Sequence, residues 1–430
     1  MHQITRRSLL KISATAAFVP RASPTLALAG KPLKIGFIGV GGRGAANLNA
    51  LGGETVTALC DVDRVQLAAA AARYPSARTF SDYRQLLEMP DLDAVVISTP
   101  DHHHAPATVR ALRLGLHVYC EKPLTHTVAE ARIVAKIASR KSLATQMGTQ
   151  NHFHEGYLRL VELLRTRAIG EVTEVHVITD RPGRWWPQGI SRPGETLPIP
   201  ESLHWDQWLG PAPYRPFHSA YVPFRWRGWW DFGCGAIGDM AIHLADPAFW
   251  GLELLGRRVV VSSSGPAVFA DSAPEWMTTK FEFAARGESV PVTLHWYEGT
   301  TTPPQEIAND LPMNGSLYIG TEGRIAIAHD GFPKLLPVEK FAGFKAPEPF
   351  LPTSPGHHAE WVNACRMGTP TGSPFSYAGP FTEIILLGNV AYRAGITVEY
   401  DPVSGQILNH PEANRWLTKT YRDGWEVGLE

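Results

Sequence analysis

"GFIGVGGRG", residues 36–44, decides how the rest of the chain is read. It supplies Gly39-x-Gly41-x-x-Gly44 directly after an apolar, β-branched run and at the start of a helical pattern, the arrangement that opens a βαβ unit. In that setting Gly39 makes the tight turn, Gly41 lets a pyrophosphate approach the backbone at the helix N-terminus, and Gly44 lets helix and strand pack closely. Gly42 and Arg43 lie within the same candidate cofactor loop. Asp61 ends the second apolar run, 17 residues beyond Gly44. An acid there accepts hydrogen bonds from the adenosine ribose and repels a 2′-phosphate, so NAD is favoured over NADP, although Arg43 and Arg64 lie near enough in sequence to weaken that preference.

Outward from this loop, "LKIGFIG", "TVTALC", "ARTF", "DAVVIST", "LHVYC" and "LATQMG" read as six strands between Leu33 and Gly148. Between them lie amphipathic stretches such as Asp63 to Tyr74 and Thr127 to Arg140, the second opened by the capping box Thr127-x-x-Glu130. Strand–helix alternation with runs apolar on both faces predicts an α/β, doubly wound parallel sheet over residues 31–150. After a helix from Glu155 to Ala168, longer alternating runs ("EVTEVHVIT", "RRVVVSSS", "WMTTKFEFAA", "SVPVTLHWY", "GSLYIGTEGRIAIA") predict an α+β domain over 151–430. That domain carries one large, mostly antiparallel sheet, and Phe381 to Gly395 is its longest helix.

Residues 181–231 interrupt this second domain with a Pro-, Gly- and Trp-rich stretch holding seven of the thirteen tryptophans. Its aromatic content argues against disorder, and a loop this long is usually functional. Tryptophan stacks on sugar rings but also fills cores and subunit interfaces. Trp229 and Trp230 are the candidate substrate contacts, with packing the alternative.

The length of 430 residues exceeds what one core usually supports, so two domains are expected. A net charge of -1, 19% charged residues and no Lys/Arg block give no footprint for nucleic acid or an anionic membrane. The expected partner is a small molecule. Residues 1–29 read as a targeting segment: "TRRSLLK" carries paired arginines, Ile12 to Val19 is a short apolar run, and Ala27-Leu28-Ala29 is an A-x-A cleavage site. The apolar run is far shorter than the roughly 20 residues that span a bilayer. The expectation is twin-arginine export of a protein without a membrane anchor, to the periplasm where there is an outer membrane. Cys60, Cys120, Cys234 and Cys365 are widely spaced and read as reduced core or near-site residues, with no metal site.

In a doubly wound sheet the ligand sits beyond the carboxyl ends of the strands, which places Thr99, Pro100 and Asp101 along the cofactor channel. His104 is grouped with them as a cofactor contact. The run His102-His103-His104 invites a metal reading, but adjacent histidines do not converge easily on one ion, and the tract reads instead as solvated. By the same rule the fifth strand ends at Glu121-Lys122-Pro123, facing the nicotinamide half. "GDMAIHLAD" sets Asp239 and His243 four residues apart, on one face if helical, where a carboxylate can orient an imidazole and stabilise its charged form. Gln150, past the sixth strand, is a candidate contact to nicotinamide or substrate, and His357 in "SPGHHAEW" a candidate substrate contact.

The glycine loop, the Glu121-Lys122-Pro123 exit and Asp239-x-x-x-His243 together resemble the glucose-fructose oxidoreductase, inositol dehydrogenase and rhizopine-catabolism (Gfo/Idh/MocA) family, over essentially the whole chain after the targeting segment. "WLGPAPYRPF", "RGWWDFG" and "PFSYAGPFTEIILLGNVAYR" resemble one bacterial branch of it. The resemblance implies that Lys122 is the catalytic lysine, that Glu121 holds the nicotinamide ribose, and that Pro123 follows a cis bond. It also implies that Asp239 and His243 bind the substrate hydroxyls, with His243 as base, and that the chain assembles as a dimer or tetramer. An amine beside a positively charged nicotinamide can do acid–base work near neutral pH.

The activity expected is hydride transfer between a sugar, glycoside or polyol hydroxyl and NAD. Because twin-arginine export carries folded proteins, the cofactor is expected to be tightly held and regenerated in place. One alternative is a redox-neutral glycosidase or epimerase working through a transient keto sugar, similar to the NAD-dependent α-N-acetylgalactosaminidases, whose Thr-His-Gly run this chain lacks between Asp239 and His243. The other is a non-catalytic NAD-binding protein.

Overall fold

A computed structural model describes residues 30–427. The targeting segment read at residues 1–29 lies outside the described residues. Six short strands form the first sheet: β1 Lys34–Ile38, β2 Thr55–Cys60, β3 Arg78–Phe80, β4 Ala94–Ile97, β5 His117–Cys120 and β6 Thr145–Met147. Their order is β3-β2-β1-β4-β5-β6 and every pair is parallel. The order reverses between β1 and β4, so the crevice above their carboxyl ends is the topological switch point where ligands of open α/β sheets bind.

The second sheet has nine strands: β7 Val172–Thr179, β8 Val259–Ser264, β9 Met277–Phe283, β10 Val292–Glu298, β11 Gly315–Gly320, β12 Arg324–Ala328, β13 Lys334–Leu336, β14 Val398–Asp401 and β15 Gln406–Ile407. They lie in the order β13-β12-β11-β7-β10-β9-β8-β14-β15, antiparallel except for the parallel pair β7/β10. β9 alternates buried and half-buried residues along its whole length, so the sheet keeps one face on the core.

The helix Phe375–Ala394 covers that face, packing on β8 and, across the domain boundary, on the helix Val128–Ser139. It starts six residues earlier than expected, carries Pro380 in its first turns, and ends on Gly395 in the left-handed conformation. The helix His357–Met367 crosses over as well. Its Trp361, Val362 and Cys365 are buried in the same cluster as Leu33, Ile35, Phe37 and Val96 of the first sheet. Part of the core of the nucleotide-binding half is therefore supplied from the end of the chain.

Residues 181–231 pack as a small aromatic core of their own. Trp205, Trp208, Phe217, Tyr221, Trp226, Trp229 and Phe232 form one buried cluster, with Trp205 stacked on Trp208 at 4.8 Å. Trp229 is fully enclosed and donates its indole N–H to the Ala220 carbonyl, and Trp230 is buried and donates to the Phe269 carbonyl, so both pack, whereas Trp185 of the same stretch is exposed. The four cysteines are buried and unbridged. Among the described residues no helix is long and apolar enough to cross a membrane.

Candidate active site

The glycine loop is shaped for close approach. Gly39 has φ +80°, and a Cβ on Gly44 would stand 2.0 Å from the Gly39 carbonyl oxygen, so neither position admits a side chain without moving the backbone. The helix that follows, Gly42–Ala50, has no side-chain cap and no acid in its first turn. Its N–H groups are left for an anion, which is what a dinucleotide pyrophosphate requires. Asp61 Oδ2 accepts from the backbone N–H groups of Val40 at 2.9 Å and Gly41 at 3.3 Å, fixing the loop from the β2 side. Burial holds the Asp61 carboxyl above its ordinary pKa, against those same hydrogen bonds. These features fit NAD: the loop and helix end would hold the pyrophosphate, and Asp61 the adenosine ribose.

β5 and β6 end side by side, and there the two halves of the Glu121-Lys122-Pro123 exit separate. Glu121 turns back toward the loop: its Oε1 accepts from Asn47 Nδ2 at 2.9 Å and pairs with Arg43 Nε at 3.1 Å. Its carboxylate fills the space above Gly148, where a Cβ would meet it at 2.8 Å. Lys122, joined to Pro123 by a cis bond, turns the other way into the cleft. Its Nζ lies 2.6 Å from Asp239 Oδ1 and 3.1 Å from the Asp239 carbonyl oxygen.

His104 is not on the channel wall. It is buried under the β4 and β5 exits, with Nδ1 2.7 Å from the Pro123 carbonyl oxygen and Nε2 2.8 Å from that of Thr99. Two carbonyl acceptors need two N–H donors, so the ring is an imidazolium. Burial opposes the charge, but Cys120, Asp101 and the Pro123 carbonyl outweigh it and hold the pKa at about 10. His104 thus ties the backbone just after Lys122 to that of the β4 exit. The solvated reading of the histidine run is overturned too: residues 101–113 form a helix, and His102 and His103 are buried against the Trp208 carbonyl at 3.0 and 2.9 Å.

Pro100 caps that helix, and Asp101, its first residue, reaches into the second domain to accept from the Cys234 N–H at 3.1 Å. Burial pushes the Asp101 carboxyl up to about 6, against the pull of His104 and Arg227. Thr99 Oγ1 is buried at the β4 exit with no protein partner.

Asp239 lies in a π-helical turn, Ile237–Ala241, and His243 in the α-helical turn after it. The pairing expected between them is not what forms. Asp239 Oδ1 takes Lys122 and also Arg227 Nε at 3.2 Å, because an ammonium and a guanidinium outcompete an imidazole for the carboxylate. Burial alone would raise the Asp239 pKa, but those two cations hold it well below the carboxylate range. His243 is buried beside them with Nδ1 unpartnered, its ring 5.2 Å from that of His329. Burial and the Lys122 charge keep it neutral, well below its ordinary pKa. A neutral imidazole with a free nitrogen can accept a hydrogen bond from a hydroxyl, while the same lowering makes it a weaker base than a free histidine.

His357 sits on the opposite side of the cleft. Its ring stacks on Phe153 at 5.9 Å and lies 4.0 Å from His358, whose Nε2 is 3.0 Å from Asn47 Oδ1. It therefore stands with Arg43 and Glu121, apart from the Lys122–Asp239 group. Gln150 opens a 3-10 turn directly after Thr149 at the β6 exit. Arg181, Arg227, His329, Asn47 and His358 escaped the reading of the sequence. The first three lie in irregular or strand-terminal segments without period, and only the doublet His357-His358 offered a signal. Away from the cleft, Glu174, His176 and His295 on β7 and β10 hold ligand atoms within 4.8 Å of one another, with His176 already bonded to Glu174 and Tyr297.

Comparison with known proteins agrees with this architecture. An inositol 2-dehydrogenase of Salmonella typhimurium is 31% identical over 150 residues, 34% of this chain and 45% of that protein, so the chain matches about half the length of that relative. A glycosyl hydrolase family 109 protein of Shewanella putrefaciens is 25% identical over 318 residues, 70% of this chain and 66% of that one. The aldose-aldose oxidoreductase of Caulobacter crescentus shares the fold, with a TM-score of 0.57 and 16% identity over 86% of this chain and 100% of that structure. The family model described as oxidoreductase family, NAD-binding Rossmann fold matches residues 33–149, and the one described as oxidoreductase family, C-terminal alpha/beta domain, matches 184–290. The first sheet with its glycine loop is an NAD-binding Rossmann domain, and since the two matches together span just over half of the sequence, the chain belongs to the Gfo/Idh/MocA oxidoreductase family.

Proposed function

We propose that the protein is an exported oxidoreductase that moves a hydride between a carbinol carbon of a sugar, glycoside or polyol and a tightly held NAD, regenerated in place. The observation that carries this reading is the Lys122 amine, held 2.6 Å from Asp239 at the strand exit facing the nicotinamide half of the crevice. Bound NAD would supply the hydride acceptor. The hydroxyl proton then has to leave as the carbonyl forms: the neutral His243 can accept it, while Lys122, an ammonium beside Asp239, can polarise the hydroxyl and takes the proton only once it has given up its own. Asp239 keeps the lysine pointed into the cleft, while Arg43 and Asn47 hold Glu121 as a contact to the nicotinamide ribose. Export rests on the paired arginines, short apolar run and cleavage site of residues 1–29.

A second reading is favoured by one specific observation. The match to the glycosyl hydrolase family 109 protein runs through both domains, whereas that to the inositol dehydrogenase covers 34% of this chain. A redox-neutral cycle uses the same hydride step and returns the hydride after elimination or epimerisation, which also regenerates NAD in place.

One assay tests the hydride step that both readings share, and a second separates them. Lys122→Ala is expected to lower kcat by about 100-fold or more while the purified protein keeps its nicotinamide; unchanged turnover in that variant overturns the assignment. Release of the aryl group from aryl glycosides with no added cofactor would select the redox-neutral cycle over the simple dehydrogenase.

A further inference from the structure

The cleft around Asp239 holds more positive charge than its own acids balance. Lys122 and Arg227 share the single oxygen Asp239 Oδ1, at 2.6 and 3.2 Å. Arg181, two residues after the end of β7, points its guanidinium over the ring of Trp185, 3.6 Å from the centroid. Among the described residues no carboxylate lies within ion-pair distance of that guanidinium, and its Nε is buried with no acceptor. The acid next to it in sequence, Asp180, is engaged by Arg184 and by Asn314 Nδ2. Asp101, the other acid nearby, accepts from the Cys234 N–H and faces the charged His104.

The two histidines that complete this wall add nothing to the negative side. His243 and His329 are held below their ordinary pKa, first by burial, and Arg181 is among the charges acting on both. Three cations thus lie around one carboxylate, of which two engage it directly and Arg181 does not. Arg181 is half-buried, and its Nε, shielded from water, lacks the acceptor that a ligand could supply. A neutral sugar offers hydroxyl oxygens, which do not offset the charge. A carboxylate does, and the planar fork of arginine matches it in two parallel hydrogen bonds. The aromatic platform of Trp185 holds the guanidinium plane without neutralising it.

We propose that the substrate is an acidic sugar, a uronic acid or uronoside whose carboxylate is bound by Arg181, with Arg227 beside it, while Lys122 and His243 work on a hydroxyl of the same ring. This rests on the sugar-oxidoreductase reading of the cleft, and it turns Arg181 into the residue that sets specificity. Arg227 takes a share of the anion's charge without leaving Asp239.

The test compares matched pairs on the purified full-length protein with its retained cofactor: glucuronate against glucose, galacturonate against galactose, and the methyl glycosides of each. Binding is read by calorimetry and turnover by nicotinamide absorbance. The proposal expects at least one uronate to bind tenfold or more tightly than its neutral partner. Arg181→Gln should erase most of that difference and Arg181→Lys should keep part of it, with circular dichroism and retained nicotinamide showing that both variants fold. Equal binding of uronates and neutral sugars, or a ratio unmoved by Arg181→Gln, would overturn it. The two readings fail differently. Neutral sugars oxidised without preference would keep the oxidoreductase and remove the carboxylate, whereas Arg181-dependent uronate binding without any change in nicotinamide absorbance would do the reverse.

Discussion

At the residue scale the site depends on how charges are shared. Lys122, Asp239 and His243 were legible in the sequence because two of them sit at a fixed place in a recognisable sheet and helix pattern, and all three match a family motif. What spacing could not show is which partner wins. A carboxylate four residues from a histidine looked like a pair, but Asp239 is claimed by Lys122 and Arg227, both distant in sequence. His104 is the reverse case, since its place just beyond the fourth strand suggested a cofactor contact and its two ring nitrogens went to backbone carbonyls. That assignment has a measurable sign. A histidine whose folded pKa is raised to about 10 contributes stability that is fully present below its unfolded value near 6.5 and is lost as pH climbs through the folded one. The wild type should therefore lose melting temperature between pH 7 and 10 more steeply than His104→Gln, whose amide does not titrate; parallel pH profiles for the two proteins would contradict the imidazolium.

At the element scale the strands of the first sheet announced themselves as β-branched runs between helical patterns, and all six formed. β13, β14 and β15 form too but were not foreseen, because KLL, VEYD and QI hold no run of β-branched residues. The helix Asp101–Arg113 was hidden by three histidines and Pro106, residues that read as loop but are buried here by contacts from residues 208 and 232. The capping box at Thr127 was legible and is complete, Thr127 Oγ1 accepting from the Glu130 N–H at 3.2 Å and Glu130 Oε2 from the Thr127 N–H at 3.0 Å. Thr127→Ala should cost about 1 kcal/mol of stability in a denaturant titration. Gly44→Ala is a different kind of change. Its Cβ would collide with the Gly39 carbonyl oxygen, so the loop must open, and the variant should purify with little or no nicotinamide. Full nicotinamide content in that variant would show that the loop does not hold the cofactor as described.

At the scale of the whole molecule the two domains are less separable than their order in the chain suggests. The division near residue 150 follows the change in pattern, yet Trp361 and Cys365 complete the core under β1, and Arg132 pairs with Glu383 at 2.7 Å across the boundary. A fragment ending at residue 150 should expose Leu33, Ile35 and Val96 around the space Trp361 fills, and fail to fold as a stable monomer in circular dichroism and sedimentation. No local signal in residues 357–367 tells a reader that this helix belongs to a sheet more than two hundred residues earlier. The same long-range return brings Arg181, Arg227 and His329 to Lys122, and it explains why half of the cleft was invisible in the sequence while the nucleotide loop was plain.

The proposed function requires this cleft to carry out hydride transfer on a sugar with a cofactor the protein already holds. The most direct measurement is to mix the purified protein, with no nucleotide added, with uronic acids, neutral sugars and polyols, and to follow nicotinamide absorbance. The account predicts a change stoichiometric with protein for at least one sugar, absent in Lys122→Ala although that variant contains as much nicotinamide. An identical change in Lys122→Ala, or no nicotinamide released from the denatured wild-type protein, would contradict it.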